Sequence, residues 1–328
     1  MALGRVSLFF GKGGVGRTTL ASAFAVDRAA AGEKVLLLSV VAHDDPGPRI
    51  QHEAAGVDTG GRLELLHIDA RQLVDDLVRR ITRLGPMADI ILKNPSYESL
   101  VDIVPGVREM AIFHFVATKL DEGYDRIVLD APATGHGIHF LEAPEKSARI
   151  LAGPLRARAE QLRAMLQDPA VTDIVLVTLA EEMPVRETME LARALVAQGF
   201  AVDNIAVNKW LPPFFEDEGS RAVLRKLDGD AQARTAFARE IEGRVPIADV
   251  PQNIGEKARP AGRAGFDLDD WLVALKLMAA QRAEAKSHLA ELRALDAKLS
   301  IIPLIPDSSR RLLKIADAMK APASGAMG

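Results

Sequence analysis

Arg5-Val-Ser-Leu-Phe-Phe10 runs directly into Gly11-Lys-Gly-Gly-Val-Gly-Arg-Thr-Thr19, and this stretch decides the reading of the chain. The first segment is apolar and β-rich, as a buried strand is. The second fits G-x-x-x-x-G-[basic]-[ST], with Gly11, Gly16, Arg17 and Thr18 in the defining places. An Ala-rich apolar pattern follows, Thr18–Ala31, and reads as a helix ended by Gly32. Strand, glycine loop and helix in that order form a phosphate cradle. Glycines let the backbone turn tightly so that amide N–H groups face an anion. The helix that follows adds the positive end of its dipole. The whole loop, Gly11, Lys12, Gly13, Gly14, Val15, Gly16, Arg17, Thr18 and Thr19, is therefore the expected nucleotide-phosphate site.

Two residues set this loop apart. Lys12 is a second basic group directly after the first glycine. Arg17 stands where lysine is usual, so a planar fork replaces a compact ammonium.

Working outward, Lys34–Val41, Arg62–Asp69, Asp125–Asp130, Asp173–Thr178 and Asn204–Asn208 read as further buried strands, with Val185–Gln198 a helix between the last two. Apolar strands separated by helices predict an α/β fold: a doubly wound, mostly parallel sheet. Residues 1–320 are expected to form one domain, with helical subdomain elements at about 70–122 and 211–299 and a disordered tail over 321–328. A long helix is expected over Leu268–Leu299, helix over Asp217–Arg239, and a late strand or loop at Ile301–Ile305. The charged run Gln281–Lys298 reads as the solvated face of a packed helix.

A phosphate loop needs an acid facing its metal. Asp130 ends an apolar strand and is followed by Ala131-Pro-Ala-Thr-Gly-His136. Asp130 and Thr18 are thus the candidate ligands of Mg²⁺, and Gly135 the pivot of a switch loop. His136 and His139 are three apart, but no third ligand accompanies them, and hydrogen bonding or packing is the expected role.

Bulk composition narrows the classes. The chain has 328 residues, 48% hydrophobic, net charge −4, 5% aromatic and no cysteine. Balanced charge and few aromatics argue against nucleic acid as a partner. The lack of cysteine excludes disulfides, thiolate zinc and cysteine-held iron–sulfur clusters. No run reaches the length of a membrane span and no signal peptide opens the chain, so the expected address is the cytoplasm, with no stable membrane insertion.

These motifs together resemble the ArsA/Get family of deviant-Walker P-loop ATPases, the arsenite-pump and guided-entry ATPases. Gly11–Thr19 is similar to the family's GKGGVGKTT, and Asp130–His136 to its switch II. Val104-Pro-Gly-Val-Arg-Glu109 resembles its PGIxE segment, and Glu182–Thr188 (EMPVRET) its stretch leading into a helix. Ala206-Val-Asn208 resembles the adenine-reading segment, and Ile302-Pro-Leu304 the loop near the base. The resemblance implies ATP or ADP with Mg²⁺ as cofactors. It implies catalytic roles for Lys12 and Arg17, Lys12 crossing to a partner's phosphates as an arginine finger does. It implies base contacts from Asn208, Pro303 and Leu304. It also implies a homodimer, or a heterodimer with a related chain, and a groove for an apolar client helix of the tail-anchored type.

One departure bears on turnover. In the family's switch I an aspartate positions the attacking water; aligned from the strand, this chain has Val41 there, with Asp44 and Asp45 further on. A valine neither orients water nor accepts its proton. A slowly hydrolysing switch, a non-hydrolysing nucleotide-binding subunit, and a positioning ATPase like MinD or ParA are the readings that result. Against the last stands Lys314–Lys320, too short and ordinary to be a membrane-binding tail.

Overall fold

The computed structural model describes residues 4–41, 47–82, 106–131, 137–213, 216–242, 268–305 and 311–320. The strands are β1 (Val6–Phe10), β2 (Val35–Val40), β3 (Leu63–Ile68), β4 (Arg126–Asp130), β5 (Thr172–Leu179), β6 (Asn204–Trp210) and β7 (Lys298–Pro303). They form one sheet in the order β3-β2-β4-β1-β5-β6-β7. Every pairing is parallel.

A parallel strand covered on both faces must be apolar throughout, and β1 shows why Val-Ser-Leu-Phe-Phe satisfies this. Val6, Leu8 and Phe10 enter one core, while Phe9 enters the other. In β2 the same alternation sends Leu36 and Leu38 one way, Val35 and Leu37 the other. A one-residue slip would exchange the two sets, so burial on both faces fixes the register.

The first face is covered by α3 (Ala70–Thr82), α4 (Val107–Asp121), α5 (Gly137–Ile150), α6 (Gly153–Gln167) and α7 (Glu182–Ala197). The second is covered by α1 (Arg17–Ala30), α2 (Arg49–Ala55) and α11 (Arg311–Lys320). Leu312, Ile315, Ala316 and Met319 of α11 sit at helical spacing against the second core. A smaller apolar cluster joins α8 (Glu218–Gly229) and α9 (Ala231–Glu242) to the start of α10 (Leu268–Leu292).

Several expectations are refined. The helix expected over Asp217–Arg239 is two helices broken at Asp230. The long helix ends at Leu292, and Lys298 and Leu299 belong to β7, which is a strand. Helices α5 and α6 fill the stretch between β4 and β5. The tail 321–328 lies outside the described residues. Among the described residues no helix is long and apolar enough to cross a membrane.

Candidate functional site

A parallel sheet delivers all its strand ends to one edge, and ligands of such sheets bind there. The Gly11–Thr19 loop leaves β1 at that edge, with Asp130 closing β4 beside it. Phe9 and Asp130 are register partners, and Ala131 N–H donates to Phe9 O at 3.3 Å.

The loop takes its shape from its glycines. Gly14 and Gly16 have φ of 87° and 91°, the left-handed region that disfavours side chains. Gly16 caps α1 with no side-chain hydrogen bond, so the helix head keeps its N–H groups turned to the loop. A Cβ at Gly16 would stand 2.2 Å from Asn208 Nδ2, and one at Gly11 2.4 Å from Val177 O. At Gly13 and Gly14 a Cβ would meet nothing within 4 Å, so this turn of the cradle is open on its outer side.

The two residues after Gly16 both turn to Asp130. Arg17 Nε donates to Asp130 Oδ1 at 2.9 Å, and Arg17 Nη1 to Gly11 O at 3.0 Å. Thr18 Oγ1 donates to Asp130 Oδ2 at 2.7 Å. A third donor was not foreseen: Gln51 Nε2, on α2, reaches Asp130 Oδ2 at 3.2 Å. Gln51 is fully buried, and its Oε1 lies 2.9 Å from His67 Nε2. A glutamine in a polar stretch gives no signal in sequence; its role exists only because α2 brings it to His67 near the end of β3 and to Asp130 at the end of β4.

The expected Mg²⁺ ligands are thus adjacent, and a hydroxyl and a carboxylate are the oxygens this ion takes. Both carboxylate oxygens, however, already accept hydrogen bonds, one of them from a guanidinium. The donor set fits in chemistry, but an ion there competes with Arg17. Among the described residues no three or more His, Cys, Asp or Glu side chains cluster as metal ligands. His139 is exposed and pairs with Glu142 and Lys146, whereas His136 and Gly135 lie outside the described residues.

Asn208 and Lys209 hold the loop from β6. Asn208 Nδ2 donates to Val15 O at 2.8 Å, and Lys209 Nζ to Gly14 O at 3.3 Å. Consecutive strand residues normally face opposite ways. Here the register shifts between Val207 and Trp210, and Lys209 has φ 55°, so both side chains turn to one loop. Neither the contact of Asn208 with the loop nor that of Lys209 was foreseen. Leu304 N–H donates to Trp210 O at 2.8 Å, which brings Pro303 and Leu304 alongside the same bend.

Lys12 points the other way. Its Nζ lies 2.7 Å from Glu187 Oε1 on α7, and both side chains are more than two-fifths exposed, at 44% and 42%. A cavity of about 280 Å³ opens here, between Gly11, Lys12, Gly137, Glu187 and Leu191. Glu187 belongs to the EMPVRET stretch, the one sequence signal for it. Val41 follows β2 and donates its N–H to Ile68 O at 3.0 Å. Asp44 and Asp45 lie outside the described residues, as do Val104 and Pro105; Glu109 stands in the first turn of α4.

Residues 4–158 and 153–242 match the family described as anion-transporting ATPase. ATPase BagA of Mycobacterium tuberculosis is 30% identical over 262 residues, 75% of this chain and 76% of that protein. A protein of Aquifex aeolicus provisionally named arsenical pump-driving ATPase 2 is 29% identical over 278 residues, 73% of this chain and 88% of its own. ATPase GET3 of Kluyveromyces lactis is 27% identical over 256 residues, 64% of this chain and 72% of its own.

Proposed function

The chain belongs to the anion-transporting ATPase family, and on that premise we propose that it binds ATP and ADP in the Gly11–Thr19 cradle and works as a nucleotide-driven switch. The observation that carries this reading is the loop itself: Gly14 and Gly16 in the left-handed region, at the head of α1, with Asp130 across from them. Amides from Gly13 to Thr19 hold the phosphate oxygens. Lys12, Lys209 and Arg17 supply positive charge around them. Asn208 spends its amide nitrogen on Val15 and presents its carbonyl oxygen to the amino group of adenine, with Pro303 and Leu304 beside the base. Magnesium, when bound, draws charge from the phosphate oxygens, and Thr18 and Asp130 are the residues that would hold it.

In hydrolysis, water attacks the terminal phosphorus and the bond to the bridging oxygen breaks, giving ADP and phosphate. This chain's cations stabilise the charge that builds on those oxygens. The same reading includes a dimer, with Lys12 leaving Glu187 for the nucleotide of a second subunit. That subunit is a copy of this chain or a related one. It includes an apolar client as well; Val273 and Leu277, one turn apart on α10, are 57% and 58% exposed and support such a contact. We place the protein in the cytoplasm. The absence of cysteine from the chain sets it apart from thiolate-based arsenite transport.

Calorimetric titration of the intact protein with ATP and with ADP tests the core of this. Saturable binding of one nucleotide per chain is expected; no heat with either would overturn it.

Val41 favours a second reading, a nucleotide-binding subunit that does not hydrolyse. Positioned general bases contribute about 10²–10⁴-fold to rates. Under this reading purified protein releases no phosphate from ATP above the no-protein background, and Val41→Asp raises release to at least about tenfold over that background. Wild-type turnover that Val41→Asp leaves unchanged would remove it.

A further inference from the structure

Among the described residues, three side-chain donors converge on Asp130. Its Oδ1 takes Arg17 Nε at 2.9 Å; its Oδ2 takes Thr18 Oγ1 at 2.7 Å and Gln51 Nε2 at 3.2 Å. The carboxylate is 4% exposed and the Arg17 side chain 11%. His67 fixes the orientation of Gln51, because a ring N–H given to Oε1 leaves the amide nitrogen turned to Asp130. The carboxylate is therefore neutralised and hydrogen-bonded by side chains of its own chain.

Arg17 is also wedged. Its second bond goes to Gly11 O, at 3.0 Å, and Gly11 is pressed so close to Val177 O that even a methyl group would not fit. The guanidinium thus bridges two rigid points, the first glycine of the loop and the acid at the end of β4. A lysine would meet these two acceptors from one nitrogen on a flexible stem, without the fixed planar fork that holds them here. A divalent ion at Thr18 and Asp130 would have to part those two residues and sit beside a fixed like charge.

We propose that the Arg17 guanidinium takes over at Asp130 the charge that a divalent cation supplies to a phosphate loop, so that this chain binds ATP and ADP as tightly without magnesium as with it. This rests on the nucleotide reading above. It makes Arg17 a residue that sets the metal requirement of the site.

The test is titration calorimetry of the full chain with ATP and ADP, in excess EDTA and in excess magnesium. Wild type is expected to give dissociation constants within about twofold of each other in the two conditions. Arg17→Lys is expected to bind at least about tenfold more tightly with magnesium than with EDTA. If wild type binds tenfold more tightly with magnesium, the proposal is overturned while the nucleotide reading stands. If Arg17→Lys is as indifferent to magnesium as wild type, Arg17 is not the cause and the proposal is overturned. Should Arg17→Lys fail to fold by circular dichroism, Arg17→Gln replaces it with the same expectation. Absence of binding in both conditions would defeat the nucleotide reading itself, and this inference with it.

Discussion

Strand β4 begins with Arg126 and ends with Asp130, and the two ends of the sheet around these residues are built on opposite plans. At the amino end a buried cation is ringed by acceptors. Arg126 Nε meets Glu33 Oε2 at 2.6 Å; its Nη1 donates to Gly4 O and lies 3.7 Å from Asp173 Oδ2. At the carboxyl end a buried acid is ringed by donors. Both arginines use one geometry, Nε on a carboxylate and Nη1 on a backbone carbonyl. The difference lies in the backbone around them. Near Arg126 the chain is tied by strand pairing. Near Asp130 stand a glycine loop and a helix head, whose first amides have no carbonyl partner within the helix. The same ionic clamp is structural at one end, and at the other, under the proposed function, it organises a place for an anion.

The sharpest way to break this contrast is Arg126→Ala. Removing one member of a buried ionic cluster leaves Asp173 without its cation and Glu33 with Arg28 alone, a loss of about 3–5 kcal/mol. Denaturant unfolding should show it as a large fall in midpoint, with nucleotide affinity retained in the molecules that remain folded. A fall below about 1 kcal/mol would mean that the amino-end cluster is not the clamp described.

Gly16→Ala strikes the other end. A left-handed backbone costs a side chain about 1–2 kcal/mol, and the new Cβ would lie 2.2 Å from Asn208 Nδ2. Asn208 must then release Val15. Nucleotide affinity should fall by at least about tenfold, more than the loss in stability explains. Calorimetry beside a thermal melt separates the two.

Asp173→Asn probes the amino end through pH. Burial raises the Asp173 pKa above 3.8, opposed by the Gly4 N–H and Arg126, and assisted by Asp203. The folded chain therefore holds this proton to higher pH than the unfolded chain does. Stability from this residue is present below the unfolded value and is lost as pH rises through the folded one. The asparagine variant lacks that loss. Its stability relative to wild type should climb as pH rises above about 4 in denaturant titrations. A difference that is flat with pH would contradict it.

What could be read in advance divides along the same line. The carboxyl-end loop is legible because glycine, a basic residue and threonine at fixed spacing have few other uses together. Its strands are legible as apolar runs, since double-sided burial leaves no polar alternation. Gln51 and Lys209 were not legible as candidate site residues, and Glu187 only as part of the EMPVRET stretch. Their roles depend on α2 reaching the ends of β3 and β4, on a bend within β6, and on α7 facing the loop, none of which has a local signature. Helix α5 hides for another reason: Pro144 lies inside it and obscures the period.

Lys12→Ala should have the smallest effect on the fold and tests the site's outer face. The Lys12–Glu187 pair spans 2.7 Å, but both groups are well exposed, and such pairs contribute about 0.2–1 kcal/mol. Unfolding midpoints of wild type and variant should therefore nearly coincide. Under the proposed dimer, the consequence should lie in phosphate release instead, and only where two chains meet. If two chains associate as proposed, the variant should match wild type well below the concentration of association and be slower well above it. Glu187→Gln offers the converse, since it weakens the hold on Lys12 without removing it, and should leave the lysine freer to cross. If Lys12→Ala slows release equally at both concentrations, the lysine acts within its own subunit, and the ion pair with Glu187 is its working position and not one it must leave.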